Sequence, residues 1–161
     1  MPKIYAKIVI DAPREKVWEV LGNFTCIAAY SPDVRRARVV SKNGTGEGAI
    51  RRLELNAQGY VEESVTTWSE GQGFSVSVIG PPNPLRQSSR RWWLARQGNS
   101  TEVTLEVNYQ LKYGPIRALL DLIATRRALR GTSHGSLSGL KYHVETGEAV
   151  EDRVPELPLA A

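Results

Sequence analysis

A chain of 161 residues, 41% apolar and 24% charged, has the length of one domain and enough apolar material for a substantial core. Its single cysteine, Cys26, excludes an intrachain disulfide and fits a reducing, cytoplasmic setting; no apolar run reaches membrane-spanning length, so no membrane insertion is expected. The net charge of +4 rests on 15 Arg and 6 Lys, scattered as doublets (Arg35-Arg36, Arg51-Arg52, Arg90-Arg91, Arg126-Arg127) without the clustered patch that nucleic-acid binding requires.

Lys3 to Ile10 alternates, with Ile4, Ala6, Ile8 and Ile10 on one side, as a half-buried strand does. Asp11-Ala12-Pro13 opens a helix with proline in its first turn and acids Asp11 and Glu15 at its positive end. Val17, Trp18, Val20, Leu21 and Phe24 form its apolar face, and Thr25 to Tyr30 adds a short helical turn that Ser31-Pro32 stops. From Asp33 to Lys112 the pattern is strands and turns. Val34 to Ser41 is extended, and Asn43-Gly44-Thr45-Gly46 is a hairpin connection. Ala49, Arg51, Leu53 and Leu55 share a face; so do Val61, Glu63, Val65 and Thr67 in the next strand, then Phe74, Val76 and Val78. Gly80-Pro81-Pro82-Asn83-Pro84 is a stiff loop, after which Leu85 to Arg96 carries Trp92 and Trp93 on opposite faces. Val103, Leu105, Val107, Tyr109 and Leu111 complete the set.

Gly114 to Glu145 contains one proline, at its start, and predicts one long helix. Leu119, Leu122, Ile123, Leu129, Leu137, Leu140 and Val144 fall on one stripe, interrupted by Arg126, Arg130 and Ser133. The opposite side carries Ala124, Ala128, Gly131, Gly135 and Gly139. That smooth ridge predicts close approach of another element, either the Val154 to Leu159 tail or the same helix of a second subunit, hence a homodimer. Residues 148–161, with Pro155 and Pro158, read as an extended or disordered tail behind a domain of residues 1–147. The fold class is α+β: a seven-stranded antiparallel sheet that curls, two short helices after the first strand, and a long C-terminal helix over the concave face.

This layout resembles the SRPBCC superfamily, the START-like helix-grip proteins, and within it the polyketide cyclase/dehydrase-like group. The resemblance is carried by Ile10-Asp11-Ala12-Pro13 with Val17-Trp18-Glu19-Val20-Leu21, by Gly48-Ala49-Ile50-Arg51-Arg52-Leu53 and Glu63, and by Leu137-Ser138-Gly139-Leu140-Lys141 with Val144-Glu145. It implies a deep cavity between sheet and helix for apolar or aromatic ligands, and it fixes no reaction.

If Leu53 and Val65 face such a cavity, alternation sends Arg51 and Glu63 there as well. Pairing is the first expectation for a buried arginine and carboxylate; the pair is either structural or able to orient a ligand oxygen. With Arg126 and Arg130, three arginines face one carboxylate, which favours an anionic partner inside, unless the helix arginines run out to the cavity mouth. Tyr30, Tyr60 and Tyr109 are candidate phenol donors, Tyr109 the best placed. The predicted lining is Tyr30, Leu53, Phe74, Val76, Trp92, Leu105, Ile123, Arg126, Arg130, Ser133 and Tyr109, around a closed or narrow-mouthed cavity. His134 and His143, the two histidines, have no neighbouring Cys or Asp cluster, so no metal is expected. Gly44, Gly46 and Gly48 are turn glycines, since no helix follows them to make a nucleotide loop. Two functions remain open: a cofactor-independent cyclase or dehydratase acting through Arg51, Glu63 and Tyr109, or a non-catalytic carrier of a lipid, quinone or other small hydrophobe.

Overall fold

The structure, a computed structural model, describes residues 2–57, 59–82, 84–112 and 115–155, the side chains of 115–121 excepted. Among the described residues ten elements follow one another: β1 (Lys3–Ile10), α1 (Arg14–Leu21), α2 (Ile27–Tyr30), β2 (Val34–Val39), β3 (Ile50–Leu55), β4 (Tyr60–Ser69), β5 (Gly73–Ile79), β6 (Leu85–Gln97), β7 (Ser100–Leu111) and α3 (Pro115–Thr146). The strands form one antiparallel sheet in the order β1-β7-β6-β5-β4-β3-β2, so β2 to β7 is a meander and β1 returns to pair with β7. This is the α+β architecture expected from the sequence, with β1 and β2 as open edges.

Alternation decides which side chains turn inward. Ile4, Ala6 and Ile10 of β1 and Val103, Leu105, Val107 and Tyr109 of β7 are buried, while Lys3 and Lys7 face outward and pair with Glu106 and Glu102. Besides a register shift between Val34 and Arg36 where β2 begins, two more break the pattern. One, between Val65 and Thr67, leaves Thr67 exposed and brings Trp68 opposite Phe74, correcting the expectation that Thr67 shares the face of Val65. The other, between Leu85 and Gln87, lets Leu85 and Ser88, three residues apart, both turn inward.

The C-terminal half of α3 packs closely. Ser133, Ser136, Leu137, Leu140 and Val144 are buried, and Lys141 donates from Nζ to the Val9 carbonyl at 2.9 Å. Glu145 accepts the Asp11 backbone N–H at 2.7 Å, which ties the end of β1 to the helix. On the small-residue ridge the approaching element is α2: a β-carbon at Gly139 would collide with the Tyr30 carbonyl, and one at Gly135 would touch Pro32. Gly131 has open space beside it. Further toward its N-terminus the helix leaves the sheet. Leu122 and Leu129 are half-buried, Ile123 is 63% exposed, and Arg126 and Arg130 are exposed. The Leu119 side chain lies outside the described residues.

Beyond α3 the chain turns back along α2. Val150 is buried and its N–H donates to the Ala29 carbonyl at 2.8 Å, so residues 147–155 are held at least at this point. The predicted tail contact through Leu159 falls outside the described residues.

Candidate ligand-binding site

Arg51 on β3 and Glu63 on β4 are directly opposite in the register, and both are buried, 1% and 0% exposed at their side chains. Arg51 donates from Nε (2.9 Å) and Nη2 (2.6 Å) to Glu63 Oε2, and from Nη1 to the Phe24 carbonyl (2.8 Å). Its guanidinium lies over the Phe24 ring at 4.3 Å. The second carboxylate oxygen accepts from Arg90 Nη1 of β6 at 2.8 Å. Burial by itself would push the Glu63 carboxyl up; Arg51 and Arg90 outweigh it and hold the group below its ordinary 4.5. A carboxylate ionised this firmly, with both oxygens occupied, is a weak base.

Next to this triad, Trp18 of α1 packs with Phe24, Phe74 and Trp68 in an aromatic cluster. Trp68 stacks on Phe74 at 5.4 Å, and Trp18 meets Trp68 edge-on at 5.2 Å. Both indole N–H groups, from Trp18 and Trp68, donate to Glu70 at 2.8 Å. These hydrogen bonds hold the Glu70 carboxyl below its usual value.

On the far side of Arg90, toward the β5–β6 loop, the sheet and α3 stand apart. A cavity of about 410 Å³ opens there, walled by Leu53, Val61, Val78 and Leu85 from the sheet, Val34 after α2, and Leu129 from α3. Pro81 and Pro82 form one lip; the exposed Asp33 and Asp152 stand at the rim. Arg90, 23% exposed, and buried Ser88 supply the polar groups of its floor. The Arg51–Glu63–Arg90 triad behind this floor carries one net positive charge, because two guanidiniums share one carboxylate, while Asp33 and Asp152 at the rim carry the opposite sign.

The structure brings together only part of the predicted set. Leu53 lines the cavity. Trp92, Leu105 and Ser133 line a small void behind it. Phe74 and Val76 lie in solid core, and Ile123, Arg126 and Arg130 point to solvent where α3 has diverged, so none of these five lines the cavity. Tyr30 and Tyr109 are fully buried outside it, each hydroxyl without a hydrogen-bond partner among the described residues. Burial pushes the Tyr30 hydroxyl up, and the nearby Arg51 guanidinium, short of hydrogen-bond geometry, offsets this only partly. Tyr60 is exposed beneath Arg52. The cavity is open at its rim, where a closed or narrow-mouthed one was expected. Arg90 and Ser88 were missed although the signal was present: each lies an even number of residues from inward-facing Trp92 on one strand.

His134 is exposed, and His143 shares Nδ1 with the Glu148 carbonyl at 2.8 Å. Among the described residues no group of three or more His, Cys, Asp or Glu side chains is placed to hold a metal ion, and no helix is long and apolar enough to cross a membrane.

A curled antiparallel sheet gripping a long C-terminal helix, with an apolar cavity between them, is the START-like helix-grip fold. The chain belongs to the family described as polyketide cyclase / dehydrase and lipid transport, whose model matches residues 1–145. Its fold is similar to that of the di-domain ARO/CYC BexL from the BE-7585A biosynthetic pathway, with a TM-score of 0.75 and 18% identity over 90% of this chain and 47% of that one. It is also similar to a START superfamily protein from Mycobacterium smegmatis (TM-score 0.69, 14% identity, 89% and 97% covered). A third likeness is to the protein XoxI from Bacillus cereus (TM-score 0.73, 14% identity, 91% and 97% covered). No curated protein matches the chain in sequence.

Proposed function

We propose that this protein binds and carries a small, mainly apolar molecule bearing an anionic oxygen, with the apolar body against Leu53, Val61, Val78 and Leu85 and the anion on Arg90. The single observation that carries the reading is the cavity floor, where a half-buried arginine with charge to spare stands at the end of an apolar wall. Carriage is favoured over cyclisation because Arg51, Glu63 and Tyr109, the expected acid–base groups, are sealed in core away from the cavity. The cyclase reading keeps one support, the family description, with Arg90 then stabilising an enolate oxygen.

The test uses 1-anilinonaphthalene-8-sulfonate as a fluorescent reporter, displaced by 1-naphthoate or by its neutral methyl ester. Wild-type protein should bind the reporter one to one and prefer naphthoate. Arg90→Met should weaken naphthoate roughly tenfold or more, the worth of a hydrogen bond to a charged group, and leave the ester unchanged. Equal affinity of both competitors for wild type and variant would remove Arg90 as the anchor. Mass spectrometry of ligand extracted from the purified protein separates the two readings: a lipid or quinone supports carriage, a polyketide supports cyclisation.

A further inference from the structure

Behind the main cavity lies a void of about 10 Å³, and the two share Arg90, Leu129 and Thr132 as a common partition. A volume of that order holds one oxygen atom and nothing larger. Its inner wall includes Trp92, 2% exposed, whose indole N–H finds no acceptor among the described residues. An indole nitrogen can only donate, so a buried one without an acceptor is costly and calls for an oxygen lone pair. None of the hydroxyl oxygens around the void accepts this N–H. Ser133 donates to the Leu129 carbonyl at 2.7 Å, and Ser136 shares a hydrogen bond with Ser31 at 2.9 Å.

From this geometry, and resting on the binding reading above, we infer that the void is the inner end of the ligand site, where a neutral carbonyl oxygen of the ligand accepts the Trp92 N–H. Arg90 and Trp92 stand two residues apart on one face of β6, about 7 Å along the strand. The ligand class is therefore a molecule with two oxygens on one edge of an apolar frame, an anionic one for Arg90 and a carbonyl several ångströms further in. Thr132 and Leu129, which border both spaces, are the side chains that must turn aside for the carbonyl to enter. An apolar chain alone, or a carboxylate alone, leaves the indole N–H unmet.

Two probes isolate the contact: 3-acetyl-1-naphthoate, and 3-ethyl-1-naphthoate, which keeps the two-carbon substituent but lacks the carbonyl oxygen. By calorimetry the acetyl compound should bind wild type about three- to tenfold more tightly, the range of one neutral hydrogen bond. Trp92→Phe keeps a ring but not the N–H; it should erase that preference and leave the ethyl compound's affinity unchanged. If the variant does not fold, the indole region of a nitrogen-15 proton spectrum of wild type still decides. The Trp92 N–H signal, one of four tryptophan indoles, should move downfield with the acetyl compound and stay in place with the ethyl one. Equal binding of both compounds, with an unmoved indole signal, would overturn the inference and leave the void to a water while the Arg90 reading stands. Failure of either compound to bind, together with failure of the anilinonaphthalene reporter, would overturn both.

Discussion

The concave face of one sheet is treated in two different ways. At one end Arg51, Glu63 and Phe74 are sealed beneath Trp18 of α1 and Phe24. At the other, Leu53, Val61, Val78 and Leu85, from the same strands or their neighbours, face a cavity of about 410 Å³. The strands supply inward side chains of similar bulk at both ends, so the sheet does not make the difference. The cover does. Over the sealed end α3 meets α2 so closely that Gly139 is required, whereas over the open end its half-buried Leu129 is the described apolar side chain that reaches the cavity. Arg90 stands on the boundary, bonded to Glu63 on one side and lining the cavity on the other.

Breaking the sealed end should have the largest effect. Glu63→Leu strands the buried Arg51 guanidinium and takes the partner from Arg90, and Arg51→Met leaves Glu63 Oε2 unmet with only Arg90 on its other oxygen; each should cost roughly 3–5 kcal/mol in urea unfolding, the first the more. The double variant should cost less than the two losses added, because neither charge remains stranded, although Arg90 then loses its partner too. Additive losses would mean that the two side chains do not interact. The pair also sets a pH dependence. A carboxyl whose folded pKa is depressed contributes stability above its unfolded value and loses it as pH falls through the folded one. Wild type should therefore weaken progressively below about its ordinary 4.5, and Glu63→Gln, less stable at neutral pH, should show a flatter profile in that acid range. Parallel profiles would place the acid transition elsewhere.

The next effect tests the cover. Gly139→Ala puts a β-carbon into the Tyr30 carbonyl, so α2 or α3 must move. Overpacking of this kind costs about 1–3 kcal/mol. Tyr30 and its edge-on partner Trp92 (6.3 Å) would shift with α2, so the tryptophan near-ultraviolet circular dichroism should change along with the melting temperature. An alanine tolerated with both unaltered would show that the helices are not in contact at this point.

Much of this was legible in the sequence, and what escaped has a physical cause. Strand alternation placed Arg51 and Glu63 face to face, since a period of two is rigid wherever no residue is inserted. The same rule applied backwards from Trp92 reaches Arg90 and Ser88, but a doublet of arginines reads first as surface charge. One-residue bulges at 65/67 and 85/87 carry no signature in hydrophobic alternation, so Trp68 and Leu85 changed faces unannounced. The largest miss concerned α3. Its apolar stripe continues through Leu122 and Ile123, and periodicity reports which side of a helix is apolar without reporting how far its axis stands from the sheet.

The smallest expected effect sharpens the comparison along that helix. The ridge Gly131, Gly135, Gly139 suggested a surface met along its whole length, yet the structure gives three different surroundings: open space, ordinary contact with Pro32, and direct collision. An interior helical glycine beside open space is a net cost, so Gly131→Ala should raise stability by about 0.5–1 kcal/mol. It should do so with no change of mass in solution by light scattering. A loss of stability together with a fall in mass would mean that a second subunit lies against Gly131 and that the ridge serves as an interface. A gain with unchanged mass confines the need for glycine to position 139, where α2 closes the sealed end.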